Sequence, residues 1–277
     1  MSKTLITVQD LSCVGRCSLT VALPVLACLG IETYPLPTAL LSSHTGFDKP
    51  FKKNLTTEMA EILSHWEPIL KSVDAVYIGY LAQSEQLPLV KKLIDRYKNK
   101  GAKIYIDPVM GDGGKRYKSI SEEQCEALVE LCFHADWIFP NRTEAALLLN
   151  IPFDELPSNT EILKALRDKF DCNVVLTGIK PTEDKIGAYL KTFDSSETVF
   201  HPYIAGSFPG TGDLFASVFI ASVINGINLK QALLLAAHFV YRCIKRQQGD
   251  IRFGVPFEQE LNYLITNFQK ILSEEKN

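Results

Sequence analysis

The chain has no surplus of positive charge. Its 29 lysines and arginines meet 32 aspartates and glutamates, for a formal net charge of -3. A protein that grips nucleic acid through the phosphate backbone usually carries a basic excess, so no nucleic-acid partner is expected. Any anionic ligand must be held locally, by a metal, a helix N-terminus or a few placed cations. Long apolar runs are also missing. The longest, Leu214 to Ile224, is about 11 residues, against roughly 20 needed to span a bilayer. No membrane association is expected. The start, Met1-Ser2-Lys3-Thr4, leads straight into a strand-like run, without the apolar stretch or cleavage site of a secretory signal. The seven cysteines are odd in number and scattered, unlike a dense secreted disulfide framework. The expected compartment is the cytosol, which makes the triplets Asn54-Leu55-Thr56 and Asn141-Arg142-Thr143 chance matches to a glycosylation pattern.

Several common catalytic signatures are absent as well. Gly114-Lys115 is followed by Arg116, and Val109 stands where a Walker A loop needs its first glycine. No GxGxxG follows the first strand-like run, and neither a GxSxG elbow nor a Ser-His-Asp order is present. Cys13 and Cys17 lack the two further ligands of a zinc site. A hydrophobic content of 46% with 22% charge is that of a globule with a core, not of a disordered or low-complexity chain.

What is present is an alternation of short, nearly continuous apolar runs with helical patterns. Thr4–Gln9, Glu32–Leu36, Ala75–Tyr80, Lys103–Ile106, Trp137–Phe139 and Asn173–Thr177 read as strands buried on both faces. Between them, 18–29, 57–66, 85–99, 121–133, 143–149 and 160–170 read as helices. A late strand pair, 185–189 and 198–201, precedes helices at 212–225, 229–246 and 256–272. Such alternation predicts one α/β domain over 1–277, with a central, mostly parallel sheet and helices on both faces. In such sheets ligands bind beyond the carboxyl ends of the strands. Gln9-Asp10, Asp107-Pro108, Pro140-Asn141 and Thr177-Gly178 all fall there.

The segment Phe208-Pro209-Gly210-Thr211-Gly212-Asp213 opens an apolar helix. Two glycines at a helix start leave backbone amides uncovered, and the macrodipole adds partial positive charge, so this is an anion site. A carboxylate beside it either caps the helix or accepts a proton from a hydroxyl attacking a bound phosphate. Asp107 and Asp112 bracket a strand end and a Gly-rich loop that closes with Lys115-Arg116. Hydrated Mg²⁺ suits such carboxylates and the loop is expected to close over phosphates, the alternative being a plain surface turn. Asn141 and Glu144 share one helix face, either as a capping box or as holders of a metal-bound water. His44, in the polar loop 42–47, reads from the residues alone as solvated.

Taken together, these segments resemble the ribokinase superfamily, and within it the pyridoxal kinase branch. The resemblance rests on GTGD at Gly210–Asp213 running into LFASVF, ITVQ in the first strand, and SSHTGF at Ser42–Phe47. IGYL at Ile78–Leu81, DPVMGD at Asp107–Asp112 and PNRTEAALL at Pro140–Leu148 complete it, spanning about the whole chain. It implies a ribokinase-like fold and phosphorylation of the 5′-hydroxyl of a vitamin B6 vitamer by ATP. Asp213 would deprotonate that hydroxyl, while Gly210, Thr211 and Gly212 form the anion hole. Asp107, Asn141 and Glu144 would organise Mg²⁺ and its waters, with a monovalent cation nearby. Asp112 and Tyr117 would border the ATP phosphates. Thr177, with Gly178 beside it, would touch the nucleotide, and residues 200–208 would border the adenine. Asp10, His44, Thr45 and Tyr80 would line the pyridine pocket. The resemblance also implies a homodimer.

The chain departs from the branch in three places. Asp10 stands where serine is common, 11–16 replaces the usual sequence after the first strand, and Gly178 stands where many members carry a hydroxyl or charged side chain. An acidic Asp10 favours a protonated ring nitrogen or an amine, and so leans the expected substrate toward pyridoxamine as well as pyridoxal. The rival readings are a hydroxymethylpyrimidine kinase on the same fold, a sugar kinase, and a non-catalytic vitamin-binding regulator.

Overall fold

The computed structural model describes residues 2–275. Its strands are β1 (Lys3–Ser12), β2 (Ile31–Leu41), β3 (Lys52–Asn54), β4 (Ala75–Ile78), β5 (Lys103–Ile106), β6 (Gly111–Asp112), β7 (Lys115–Arg116), β8 (Trp137–Ile138), β9 (Asn173–Thr182), β10 (Lys185–Lys191) and β11 (Ser196–Pro202). Its α-helices are α1 (Leu19–Cys28), α2 (Thr56–Ile69), α3 (Leu87–Lys98), α4 (Glu122–Cys132), α5 (Arg142–Leu149), α6 (Asn159–Phe170), α7 (Thr211–Ile224), α8 (Leu229–Arg246) and α9 (Leu261–Glu274).

Among the described residues the main sheet has nine strands in the order β11-β10-β9-β8-β5-β4-β1-β2-β3. From β9 to β2 every pairing is parallel. β10 and β11 add an antiparallel edge on one side and β3 on the other. The two-residue period of a strand splits its side chains between two cores. Leu5, Ala75, Tyr77, Tyr105, Trp137 and Val175 pack with α1, α7, α8 and α9. Ile6, Val76, Ile78, Ile104, Ile138 and Val174 face the other way, against α2 to α6. The continuous apolar runs thus mark strands covered on both faces.

One helix matters most for the site. In α7, Leu214 to Ser222 are all buried, so the helix is apolar all round and lies inside the fold. Phe219 packs edge-on against Trp137 and Phe139, at centroid distances of 5.3 and 5.6 Å. These contacts hold the α7 N-terminus at the carboxyl edge of the sheet.

The structure departs from the sequence expectation in a few places, each with a local cause. The loop after Asp107 is not open: 111–112 and 115–116 pair as a hairpin whose turn glycines, Gly113 and Gly114, have φ of 59° and 78°. Positive φ at both central residues is the geometry that suits the twist of a two-residue hairpin. β9 continues through Gly178 to Thr182 instead of ending at Thr177, because β10 pairs with it there. α3 starts at Leu87 after a short 3₁₀ turn, with Pro88 in its first turn where no amide is needed. The polar edge strand β3 carries no apolar alternation to announce it. No helix among the described residues is long and apolar enough to cross a membrane.

Candidate active site

The α7 N-terminus is a cradle of uncovered backbone amides. Gly210 caps it in the left-handed region, at φ 79°, and the first backbone bond of the helix runs from the Leu214 amide to the Gly210 carbonyl at 3.0 Å. The amides of 211–213 therefore have no partner within the helix. A Cβ on Gly210 would lie 1.9 Å from the Arg16 carbonyl oxygen, and one on Gly212 would lie 3.7 Å from Asp107 Oδ2. Asp107 thus reaches the cradle from the end of β5.

Asp213 sits in the first turn and accepts a hydrogen bond from the Ser18 amide at 2.8 Å. Burial pushes its carboxyl up to about 7; the Ser18 bond opposes this and the charge of Asp10 adds to it. Ser18 is held at φ 48°, a strained conformation for a residue with a side chain. That conformation lets one residue serve two acids. Its amide donates to Asp213 while its hydroxyl donates to Asp10 at 2.5 Å. Ser12 donates to the other Asp10 oxygen at 2.8 Å. Asp10 is buried, which raises its pKa; the two serines partly offset the shift.

Glu144 and Asn141 form the capping box of α5. The Asn141 side chain accepts from the amides of Thr143 and Glu144, and one Glu144 oxygen accepts from the Asn141 amide at 2.8 Å. The other Glu144 oxygen accepts from the Met110 amide at 3.2 Å, and Asn141 Nδ2 donates to the Gly111 carbonyl at 2.8 Å. The capping-box reading of this pair holds, and the same two residues tie the segment after β5 to the start of α5. Burial raises the pKa of Asp107 and of Glu144, and the Glu144 charge raises Asp107 further. Among the described residues no cationic side chain forms an ion pair with Asp10, Asp107, Glu144 or Asp213. Nor does any group of three His, Cys, Asp or Glu side chains among them make a ready metal cage.

The rim is built from three distant segments. His44 is buried, not solvated. The Gly46 amide donates to its Nδ1 at 3.0 Å, so its proton sits on Nε2, which donates to the Arg252 carbonyl at 2.6 Å. The 13–16 turn lies between these segments: the His44 amide bonds the Val14 carbonyl, and the Arg16 amide bonds the Phe253 carbonyl. Phe47 packs edge-on against Phe253 at 5.2 Å. Across from them Tyr80 is buried. Its carbonyl accepts from Thr38 Oγ1 at 2.8 Å, and the next two residues are held by Gln124 and Gln86.

Comparison with known proteins then supplies the family. Residues 52–255 match the model of the phosphomethylpyrimidine kinase family, about three-quarters of the chain. The chain belongs to that family. A crystal structure of a candidate phosphomethylpyrimidine kinase from Bacteroides thetaiotaomicron, determined with pyridoxal, is 34% identical, with a TM-score of 0.90 over 95% of this chain and 96% of that one. The pyridoxal kinase of Lactobacillus plantarum is 29% identical, with a TM-score of 0.87 over 95% and 97% of the two chains. The pyridoxal kinase of Dictyostelium discoideum is 26% identical over 95% of this chain and 92% of its own. The fold is ribokinase-like, and the kinase lies on the pyridoxal kinase branch.

The kinase brings most of the sequence candidates to one edge. Asp10, Asp107, Glu144 and Asp213 are buried there and act on one another electrostatically. Tyr117 is 40% exposed, and partial burial followed by the charges of Glu144, Asp112, Asp107 and Asp213 pushes its phenol up. Asp112 is exposed, with its carboxylate accepting from the Gly113 amide, and Thr45 is exposed beside His44. Thr177 bonds the Pro140 carbonyl from both its amide and its hydroxyl, while Gly178 is exposed, with open space where a side chain would be. The loop 203–210 runs from β11 to α7, with Lys180 Nζ over the Tyr203 ring at 3.6 Å. Lys115 and Arg116, which close the hairpin, are both exposed, and Arg116 acts on Glu123 and Cys125. Sequence reasoning missed Ser12, Ser18, Lys52, Tyr77 and the 250–254 turn. A polar Tyr77 inside an otherwise apolar strand was the one available signal: its hydroxyl is buried beside the Gln9 side chain, and the charges of Asp107 and Asp213 act on it.

The raised acids carry a stability consequence. A carboxyl with a raised folded pKa contributes stability that is full below its free value and lost as pH rises through the folded value. For Asp213 that window runs from 3.8 to about 7. Without ligands, the melting temperature of Asp213→Asn should therefore gain on wild type as pH is raised from about 5 to about 8. A gap that stays constant across that range would contradict the buried, titrating Asp213.

Proposed function

We infer that the protein transfers the γ-phosphoryl group of ATP to the 5′-hydroxyl of a vitamin B6 vitamer. The observation that carries this reading is Asp213: a buried carboxyl raised to about 7, in the first turn of a glycine-opened helix, one serine away from the Asp10 pocket. The pyridoxal bound to the Bacteroides relative and the naming of the other relatives as pyridoxal kinases support the substrate class.

The residues divide the work. A general base is most effective when its pKa lies near the working pH, and burial brings Asp213 there. Ionised Asp213 takes the proton of the attacking hydroxyl. The amides of 211–213, with the α7 dipole behind them, hold the oxygens of the transferred group. The Asp10 pocket orients the ring, so that the reaction proceeds by alignment and charge stabilisation. Magnesium fits the remaining acids. Asp107 and Glu144 are oxygen donors that crowd negative charge without a cation, which is the chemistry a hydrated divalent ion relieves. Asp107 would hold it, with Glu144 and Asn141 ordering its waters, since both are already engaged with backbone groups. Bound there, the ion would neutralise phosphate charge.

The family name favours a second reading, phosphorylation of hydroxymethylpyrimidine. Purified protein with ATP and Mg²⁺ should be offered pyridoxal, pyridoxine, pyridoxamine and hydroxymethylpyrimidine side by side. Turnover of at least one B6 vitamer is expected. Turnover of hydroxymethylpyrimidine alone would move the protein to pyrimidine phosphorylation, and tight binding without any turnover would make it a regulator.

A further inference from the structure

Tyr80, which the resemblance assigns to the vitamer pocket, is bonded to a cation that the resemblance does not assign. Lys52, on edge strand β3, pairs with Leu41 of β2 and extends toward the end of β4. Its ammonium donates to Tyr80 Oη at 2.9 Å and to the Ala82 carbonyl at 3.1 Å. The side chain is half-buried, and among the described residues no carboxylate forms an ion pair with it. An ammonium has three protons, so one donor is left over. Burial lowers the pKa of Lys52 and the charge of Asp10 opposes that, which puts Lys52 and Asp10 in one electrostatic neighbourhood. Asp10 also acts on the Tyr80 phenol.

The geometry has a directional consequence. Tyr80 Oη accepts from a cation, and its single proton must then point away from Lys52. The Tyr80 backbone is pinned by Thr38, which places the ring, and the Lys52 bond orients its hydroxyl. Asp10 cannot swing over to neutralise Lys52, because Ser12 and Ser18 each hold one of its oxygens.

We propose, resting on the kinase reading above, that Lys52 sets the choice among B6 vitamers. Acting through Tyr80, it makes this wall of the pocket demand a hydrogen-bond acceptor on the substrate. In this reading the substituent at ring position 4 faces Tyr80; pyridoxal and pyridoxine carry an oxygen there and satisfy it. Pyridoxamine carries an ammonium there, which offers Tyr80 no acceptor and meets the Lys52 charge. Asp10 pulls the other way, toward the amine. Lys52 is the counterweight that keeps the pocket selective for the oxygen-bearing vitamers.

The test is the ratio of kcat/KM for pyridoxal to that for pyridoxamine, with ATP and Mg²⁺, in wild type, Lys52→Met, Lys52→Arg and Tyr80→Phe. A charged hydrogen bond is worth enough that Lys52→Met should lower the ratio by about tenfold or more. Asp10 is then unopposed, and pyridoxamine turnover should rise relative to pyridoxal. Lys52→Arg should keep most of the wild-type ratio, and Tyr80→Phe should shift it as Lys52→Met does. Equal losses on both vitamers, or an unchanged ratio, would make Lys52 a mere buttress and overturn the proposal alone. A wild type that turns over no B6 vitamer would sink the kinase reading and this proposal with it.

Discussion

Asp213→Asn should keep the fold and lower kcat by about 10² to 10⁴, equivalent to about 3–5 kcal/mol of transition-state stabilisation. The amide is nearly the same shape as the acid, and its oxygen can still accept from the Ser18 amide. What it cannot do is take a proton. The fold should survive for a further reason: the substitution removes a buried charge raised by desolvation and by Asp10, so stability above neutral pH should rise while activity falls. Removal of a merely structural cap would cost stability instead. The pH profile separates the two roles. In wild type kcat/KM should rise as pH increases through about 7, because only the ionised carboxylate accepts the proton. Asp213→Asn should lose that limb. Activity within a few-fold of wild type, or an unchanged acid limb, would refute the base assignment.

The second large effect is expected at Gly210. Gly210→Ala places a methyl group 1.9 Å from the Arg16 carbonyl oxygen, at a residue whose φ of 79° already disfavours any side chain. Neither neighbour yields cheaply. The Arg16 amide is bonded to the Phe253 carbonyl, and the Arg16 side chain pairs with Glu258 at 2.7 Å. The movement therefore falls on the cradle, where removal of one aligned donor costs about 10² to 10³ in kcat. Gly226→Ala is the matched control. Gly226 has φ 88° but open space around the missing Cβ, at the far end of α7. It should lose stability from the backbone strain alone, with turnover per folded molecule unchanged. If both variants lose activity alike, the cradle is not where Gly210 acts.

Local pattern made much of this molecule legible. The 229–246 helix is bounded in the structure where its periodicity starts and stops, with Asn228 as its N-cap. The capping boxes at Ser121 and at Asn141 form as their spacing implies. Glycines flanking Thr211 announced a helix start with uncovered amides, and one stands there. What stayed hidden was of two kinds. Backbone groups carry no residue signature, so nothing in the chain says that the Arg252 carbonyl, 208 residues away, accepts the hydrogen bond of His44 Nε2. Short polar elements such as β3 lack alternation, so Lys52 looked like one of many surface lysines.

The chain's own sequence determined the sheet, its buried strands and the helix-start chemistry, because those follow from the period of apolar residues and from neighbours three or four apart. Only the tertiary structure decided which acids are buried and which groups hold them. Ionisation depends on burial and on charges brought close across the fold: Ser18 reaches Asp213 over 195 positions, and Asp10 over eight. Lys52 meets Tyr80 over 28 positions, and no local pattern encodes that encounter. Desolvation is a property of the assembled interior, and it exists only once the strands have closed around these side chains.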